Sequence, residues 1–219
     1  MSLSFDHVPH RYFLDGNPVP SVTGILKASG LIDFSSIPAG ILESARERGT
    51  YVHQAIHFYN EQDLDLAQFG EDFPSYVGYL EGWITFCQQR HFVPVLNEHR
   101  VASRRYQIAG TLDCLGVLDG TAVLLDFATG RPQDVSKDLQ TAAYYALALE
   151  WASEDPLLAA FFTAHPLVKR YAVGLRKEGT FHLEAYDDPS HFRQFVTLVE
   201  AQRIVTARKG EWAQLAEVA

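Results

Sequence analysis

An α/β fold with one central mixed β-sheet flanked by helices, preceded by an N-terminal helical elaboration, is what this sequence predicts, on three observations. From about residue 92 to residue 128 the chain is β-branched and apolar, broken by Gly110, Gly116, Gly120 and then Gly130, the texture of successive strands with tight turns. On either side of that stretch apolar residues recur at three- and four-residue steps, the period of an amphipathic helix. Beyond the second helical stretch come another strand pair and a closing helix, so helices and strands interleave in the second half of the chain.

In HRYFLDGNPVPSVTGIL, Asp15-Gly16 stands between two short apolar segments and marks a small hairpin. Ser21 is suited to cap a first helix carrying Val22, Ile25 and Leu26, because a serine hydroxyl accepts from an N–H of the first turn. A second helix is expected from about Ala39 to Asn60, with Leu42, Ala45, Gly49, Val52, His53 and Ile56 on its inward side. A third, about Ser75 to Arg90, repeats Tyr76, Tyr79, Leu80, Trp83 and Phe86, aromatics better suited to a core than to base stacking. FVPVLNEHRVA, QIAGTLDCLGVLD and TAVLLDFAT then read as three strands, the last two joined at Asp119-Gly120. Leu139, Ala142, Ala143, Ala146, Leu147 and Leu149 restore helical spacing from about Lys137 to Ala152. KRYAVGLRKEGTFHLEAYD reads as a strand pair turning at Glu178-Gly179, and His191 to about Arg208 as a closing helix presenting Phe192, Phe195, Val199 and Ile204.

A length of 219 residues with 47% apolar content suits one domain spanning residues 1–219, its hairpin and helical part over about 1–91 and its sheet-containing core over about 92–219. The formal charge of −9 argues against a protein that coats nucleic acid through counterion release, but leaves room for carboxylates gathered around a cation. Arg46, Arg48, Arg104, Arg105, Arg131 and Lys137 are candidate phosphate contacts, although any one taken singly is more simply a solvated surface charge. Cys87 and Cys114 are too few for a disulfide framework or a four-cysteine metal site and read as small buried residues in a reducing compartment. Neither a membrane-spanning run nor a signal segment is recognisable, so a soluble, cytoplasmic protein of phage or bacterial origin is expected. Neither G-x-S-x-G nor G-x-x-x-x-G-K-[ST] occurs, which disfavours a serine hydrolase and an ATPase.

The informative feature is a pair of carboxylates. Asp113 and Asp126 are symmetric about the Asp119-Gly120 turn, so the hairpin sets them opposite one another on neighbouring strands. Two like charges that close repel unless a cation or proton lies between them, and a hard ion such as Mg²⁺ prefers carboxylate oxygens. His53, from the inward side of its helix, can add a third group, and Glu98 on the preceding strand is a further ligand or outer acceptor. Singly, each has a plainer explanation, a hydrogen-bonded core histidine or an aspartate paired with arginine. The combination points to a metal centre.

GTYVHQAIH, GTLD, LLDFATG and QTAAYYALA, in that order and spacing, resemble the nuclease segment of RecB-like PD-(D/E)XK enzymes over about Arg48 to Ala148. PVPSVTGIL is similar to a segment of phage-type and mitochondrial genome-maintenance exonucleases of that superfamily. The resemblance implies a restriction-endonuclease-like core and a metal-dependent DNA nuclease, an exonuclease by first choice, hydrolysing phosphodiester bonds in repair or recombination. It implies that His53, Asp113, Asp126 and the main-chain carbonyl of Phe127 hold Mg²⁺ or Mn²⁺, with Glu98 a candidate addition. It also implies that Gln140 and Tyr144, matching Q-x-x-x-Y, orient the phosphate or the catalytic residues. The partner it implies is DNA, single-stranded or with free ends, gripped by Arg46, Arg48, Arg131 and Lys137. A helicase or recombination partner would be a separate polypeptide, and no membrane is involved.

One position departs from the pattern. The family carries lysine two residues beyond the third-motif carboxylate, where this chain has Ala128. Losing such a charge costs about two to four kcal/mol of barrier, so impaired activity is expected. Three explanations compete: an engineered inactivating substitution, a natural variant drawing its charge from Arg131 or Lys137, or an inactive pseudo-nuclease that only binds nucleic acid.

Overall fold

The computed structural model describes residues 2–8, 10–130 and 136–218. Its elements in chain order are β1 (Leu3–Asp6), β2 (Arg11–Leu14), β3 (Asn17–Val19), α1 (Val22–Ala28), α2 (Ala39–Asn60), α3 (Leu66–Asp72), α4 (Val77–Gln89), β4 (Val93–Ser103), β5 (Ile108–Leu118) and β6 (Thr121–Ala128). After these come α5 (Lys137–Trp151), α6 (Pro156–Ala164), β7 (Lys169–Leu175), β8 (Phe181–Ala185) and α7 (His191–Val218). A small antiparallel sheet, β1-β2-β3, precedes a five-stranded sheet in the order β4-β5-β6-β7-β8. Only β6 and β7 run parallel, joined by the crossover through α5 and α6, so the large sheet is mixed. A mixed sheet between helical layers is consistent with the restriction-endonuclease-like core that the sequence resemblance implies.

Burial explains why β6 reads as an almost continuous apolar run. Ala122 and Leu124 pack into a cluster with Leu112, Leu139, Leu147 and Phe195, on the side of α5. Val123, Leu125 and Phe127 pack into a second cluster with Val52, Ile56, Trp83 and Phe86, on the side of α2 and α4. A strand covered on both faces needs apolar residues in both phases of its alternation. The N-terminal part feeds the first cluster through Tyr12, Leu14, Val22 and Leu26, and a backbone bond from Ala109 N–H to the Pro20 carbonyl at 3.1 Å ties it to β5.

Local chemistry fixes the turns and most helix starts as expected. Asp15-Gly16 and Asp119-Gly120 both take positive φ at both residues, the requirement of a two-residue hairpin whose twist matches its strands. The Ser21 hydroxyl accepts from Gly24 N–H at 2.9 Å. Two helices go beyond the sequence expectation, and both begin at an aspartate cap: Asp65 accepts from Ala67 and Gln68 before α3, and Asp155 accepts from Leu157 and Leu158 before α6, which has Pro156 in its first turn. The strand β1 also goes beyond it, and α7 continues past Arg208 to Val218. Cys114 is buried, whereas Cys87 is only half-buried. Among the described residues no helix is long and apolar enough to cross a membrane.

Gly110 is fixed by a close approach. A Cβ on Gly110 of β5 would lie 2.6 Å from Cε1 of Tyr144 and 3.5 Å from Val22, so α5 and α1 seat on the sheet only because this position is bare. Gly110→Ala is therefore expected to destabilise the fold by about 1–3 kcal/mol, read as a lower urea midpoint at unchanged m-value. An unchanged midpoint would contradict this packing.

Candidate metal centre

The β5–β6 ladder pairs Leu118 with Thr121 through to Cys114 with Leu125. Its next step would place Asp113 opposite Asp126, as the symmetry about the turn requires. There the ladder gives way to a side-chain contact: the Phe127 N–H donates to Asp113 Oδ2 at 2.6 Å. On the other side of β5, Asn97 pairs with Cys114 and His99 with Leu112, which leaves Glu98 facing Asp113. Glu98 has φ 45°, in the left-handed region that non-glycine residues rarely occupy, and β4 shifts register between Pro94 and Leu96. Such conformations cost free energy and gather at functional sites.

The helix α2 brings His53 to the same point. Its Nδ1 lies 3.4 Å from Glu98 Oε1 and 3.7 Å from Asp113 Oδ1. One potential ligand atom from each of His53, Glu98 and Asp113 falls within 4.8 Å of the others. One imidazole nitrogen and two carboxylates form a donor set suited to a divalent ion of the Mg²⁺ or Mn²⁺ type, with nitrogen favouring the softer of the two. Glu98 Oε1 is shielded from solvent without a well-aligned hydrogen bond, as a ligand oxygen awaiting a cation would be.

Asp126 stands one step to the side of that trio. It is 1% exposed, and the ammonium of Lys137, the first residue of α5, forms an ion pair with it. Among the described residues no hydrogen bond to either carboxylate oxygen is formed besides this pair. A buried aspartate without a countercharge would be driven to protonate, so Lys137 is the group that permits its ionised form.

The electrostatics follow from crowding. Burial of the His53 ring opposes its charge, but Asp113, Glu98 and Asp126 outweigh burial and raise its pKa to about 9. Burial raises Asp113, with Glu98 adding repulsion while His53 and Lys137 pull it down. Burial likewise raises Asp126, to about 6, against the pull of Lys137. With no metal bound, the cluster retains a proton near neutral pH, and a cation entering it must displace that proton.

The remaining expected residues are distributed around this point. Gln140 Nε2 donates to the Tyr144 hydroxyl at 3.5 Å, and both line, with Asp113 and Glu98, a cavity of about 410 Å³. Tyr144 is buried, and that burial pushes its phenol pKa up. Phe127 meets the site through its N–H and its ring, 5.5 Å from that of His53. Ala128 ends β6 opposite Gly174 of β7. Arg46 is exposed, and Arg48 is half-buried with its guanidinium 5.7 Å from the Tyr79 ring centre. Arg131 lies outside the described residues. Two features go beyond the sequence reading: the left-handed backbone that turns Glu98 inward, for which a strand-like sequence carries no signal, and the contribution of Phe5, His7, His10 and Arg100 to the cavity.

No protein-family profile and no curated protein matches this chain. Among solved structures it is similar to a presumed exonuclease from Eubacterium rectale, at 14% identity and a TM-score of 0.43, over 89% of this chain and 76% of the other. The functional reading rests on the side chains themselves.

Since His53 must lose its proton to become a ligand, Mn²⁺ binding is expected to tighten as pH rises from about 6.5 toward 9, with about one proton released in calorimetry across buffers of different ionisation enthalpy. In the metal-free protein the same raised pKa stabilises the fold below about 6.5, a contribution lost as pH climbs through about 9. Mn²⁺ affinity that ignores pH would remove His53 from the ligand set.

Proposed function

We propose that this chain is a divalent-metal-dependent nuclease that hydrolyses phosphodiester bonds in DNA, with exonucleolytic action the preferred mode, and that Lys137 supplies the charge that Ala128 lacks. The observation that carries this reading is the Lys137–Asp126 ion pair beside the His53, Glu98 and Asp113 trio. A cation-binding set next to a fixed ammonium is an arrangement suited to a phosphate in transit between two charge states.

In this reading His53, Glu98 and Asp113 would hold Mg²⁺ or Mn²⁺, Glu98 taking the place among the ligands that the family resemblance gives to Asp126, with the Phe127 carbonyl kept as a further oxygen. When bound, the ion lowers the pKa of a water and neutralises charge on the phosphate. Asp126 orients the Lys137 ammonium through their ion pair, so that its positive charge faces the charge that develops on the phosphate. Gln140 and Tyr144, four residues apart on α5, present an amide and a phenol to the same cavity and orient the phosphate oxygens. The hydroxyl of Tyr144, kept protonated by its burial, accepts from Gln140 and still has its own proton to donate. Arg46 and Arg48 on α2 are backbone contacts for the strand.

Placing a lysine on a helix rather than two residues beyond the carboxylate preserves the charge while changing which backbone carries it. Ala128 then leaves the centre with its cation intact, which supports the natural-variant explanation over the other two.

The assay is nucleotide release from end-labelled single- and double-stranded DNA with Mg²⁺ or Mn²⁺. Lys137→Ala should slow cleavage by about two to three orders of magnitude while Mn²⁺ affinity stays within a few-fold, and adding Ala128→Lys to that variant should recover part of the rate. Cleavage at the parent rate by Lys137→Ala would refute the role given to Lys137. DNA binding by the unmodified chain without cleavage under any divalent ion would favour the pseudo-nuclease.

A further inference from the structure

One wall of the cavity above the candidate metal centre is basic, in a chain whose formal charge is −9. His7 and His10, which lie between β1 and β2, line it together with Arg100 of β4. Phe5 organises all three. The His7 ring stands edge-on to it at 4.9 Å and 80°, and the His10 ring at 4.7 Å and 89°. The Arg100 guanidinium sits 5.2 Å from its centre. With Arg100 over its ring and two imidazoles against it, Phe5 is a pedestal for basic groups rather than a free platform for a base.

These basic groups crowd one another. Burial pushes the His10 pKa down, and the charges of Lys27 and His7 push it the same way. Among the described residues none of His7, His10, Lys27 and Arg100 takes part in an ion pair within 4.0 Å. Asp6, the acidic residue beside His7 in sequence, accepts from Val8 N–H, and Glu98 and Asp113 sit with His53. The cavity of about 410 Å³ is thus lined both by the carboxylates of Glu98 and Asp113 and by basic donors that form no ion pair with them. That space lies at the small end of the range for ligand sites and suits one unit of a flexible strand rather than a duplex.

We propose that His7, His10 and Arg100, arranged around Phe5, form a subsite for a phosphate of a single nucleic-acid strand, adjoining the phosphate held at the metal centre. The presence of that second phosphate rests on the nuclease reading; the anion site does not. Arg100 supplies fixed charge, and the two imidazoles supply N–H donors. The phosphate is an internal diester or a terminal monoester, which share this chemistry.

The test is fluorescence anisotropy of labelled single-stranded oligonucleotides without divalent ions, carrying a 5′-phosphate, a 3′-phosphate or neither, over a salt series. The triple variant His7→Ala, His10→Ala, Arg100→Gln should bind about tenfold more weakly than the parent, with a salt slope shallower by about 0.7 for each phosphate no longer neutralised. Mn²⁺ calorimetry and far-UV circular dichroism on that variant, both expected to match the parent, show that the fold and the ligand trio persist. Equal affinity for all three oligonucleotides supports a diester site, and dependence on one terminal phosphate supports a monoester site. Parent-like affinity and slope in the triple variant overturn the proposal, as does failure of the parent to bind any of the three. A parent that binds through these residues yet cleaves nothing keeps the subsite and loses the nuclease reading; a parent that cleaves while the triple variant binds normally does the reverse.

Discussion

Buried negative charge is the constraint from which the rest of this structure follows. Asp113 and Asp126 each stand one residue beyond the last paired level of the adjoining strands β5 and β6, and Asp126 is 1% exposed. Carboxylates so placed cannot stay ionised on their own, because desolvation and mutual repulsion both favour protonation. The fold answers with one cation for each: the His53 imidazole beside Asp113 and the Lys137 ammonium on Asp126. Removing either leaves a charge in a poorly solvated site, which is more costly than never having buried the pair.

Each compensating group is delivered by a different layer. His53 comes from α2, on the side where Val52, Ile56, Trp83 and Phe127 pack. Lys137 comes from the first turn of α5, on the side where Leu124, Leu139 and Leu147 pack. The carboxylates therefore lie where the two cores approach each other through the sheet, and the packing of both layers sets the distances at the site. Glu98 adds a third carboxylate to this crowded point through a left-handed backbone. That conformation is costly for a non-glycine residue, and it sits in a strand whose register already shifts between Pro94 and Leu96.

How much of this is legible in the sequence divides along physical lines. Features fixed by local chemistry are readable: the Asp-Gly turns, the Ser21 cap, the two-sided apolar pattern of β6, and the position of Asp113 and Asp126 at the same end of the β5–β6 ladder, which follows from counting outward from a turn. The starts of α3 and α6 are written in Asp65 and in Asp155-Pro156, but short helices carry too few apolar repeats to stand out. Features fixed by tertiary placement are not readable. Lys137 appears only as one of two nearby cations, since nothing local says that α5 begins against Asp126. Glu98 is an optional neighbour because alternation along β4 does not reveal a left-handed residue, and His7, His10 and Arg100 draw no attention because the small N-terminal sheet must fold over β5 before they share a cavity.

The account depends most on one imidazole and two carboxylates sharing a cation. The direct measurement is pulsed electron paramagnetic resonance on the Mn²⁺-loaded protein. A nitrogen coupling from a directly bound histidine is expected, lost in His53→Gln, and Mn²⁺ affinity should collapse in Asp113→Asn. Tightly bound Mn²⁺ that shows no nitrogen coupling, or that is retained unchanged in both variants, would mean that these side chains were brought together for some purpose other than holding a metal.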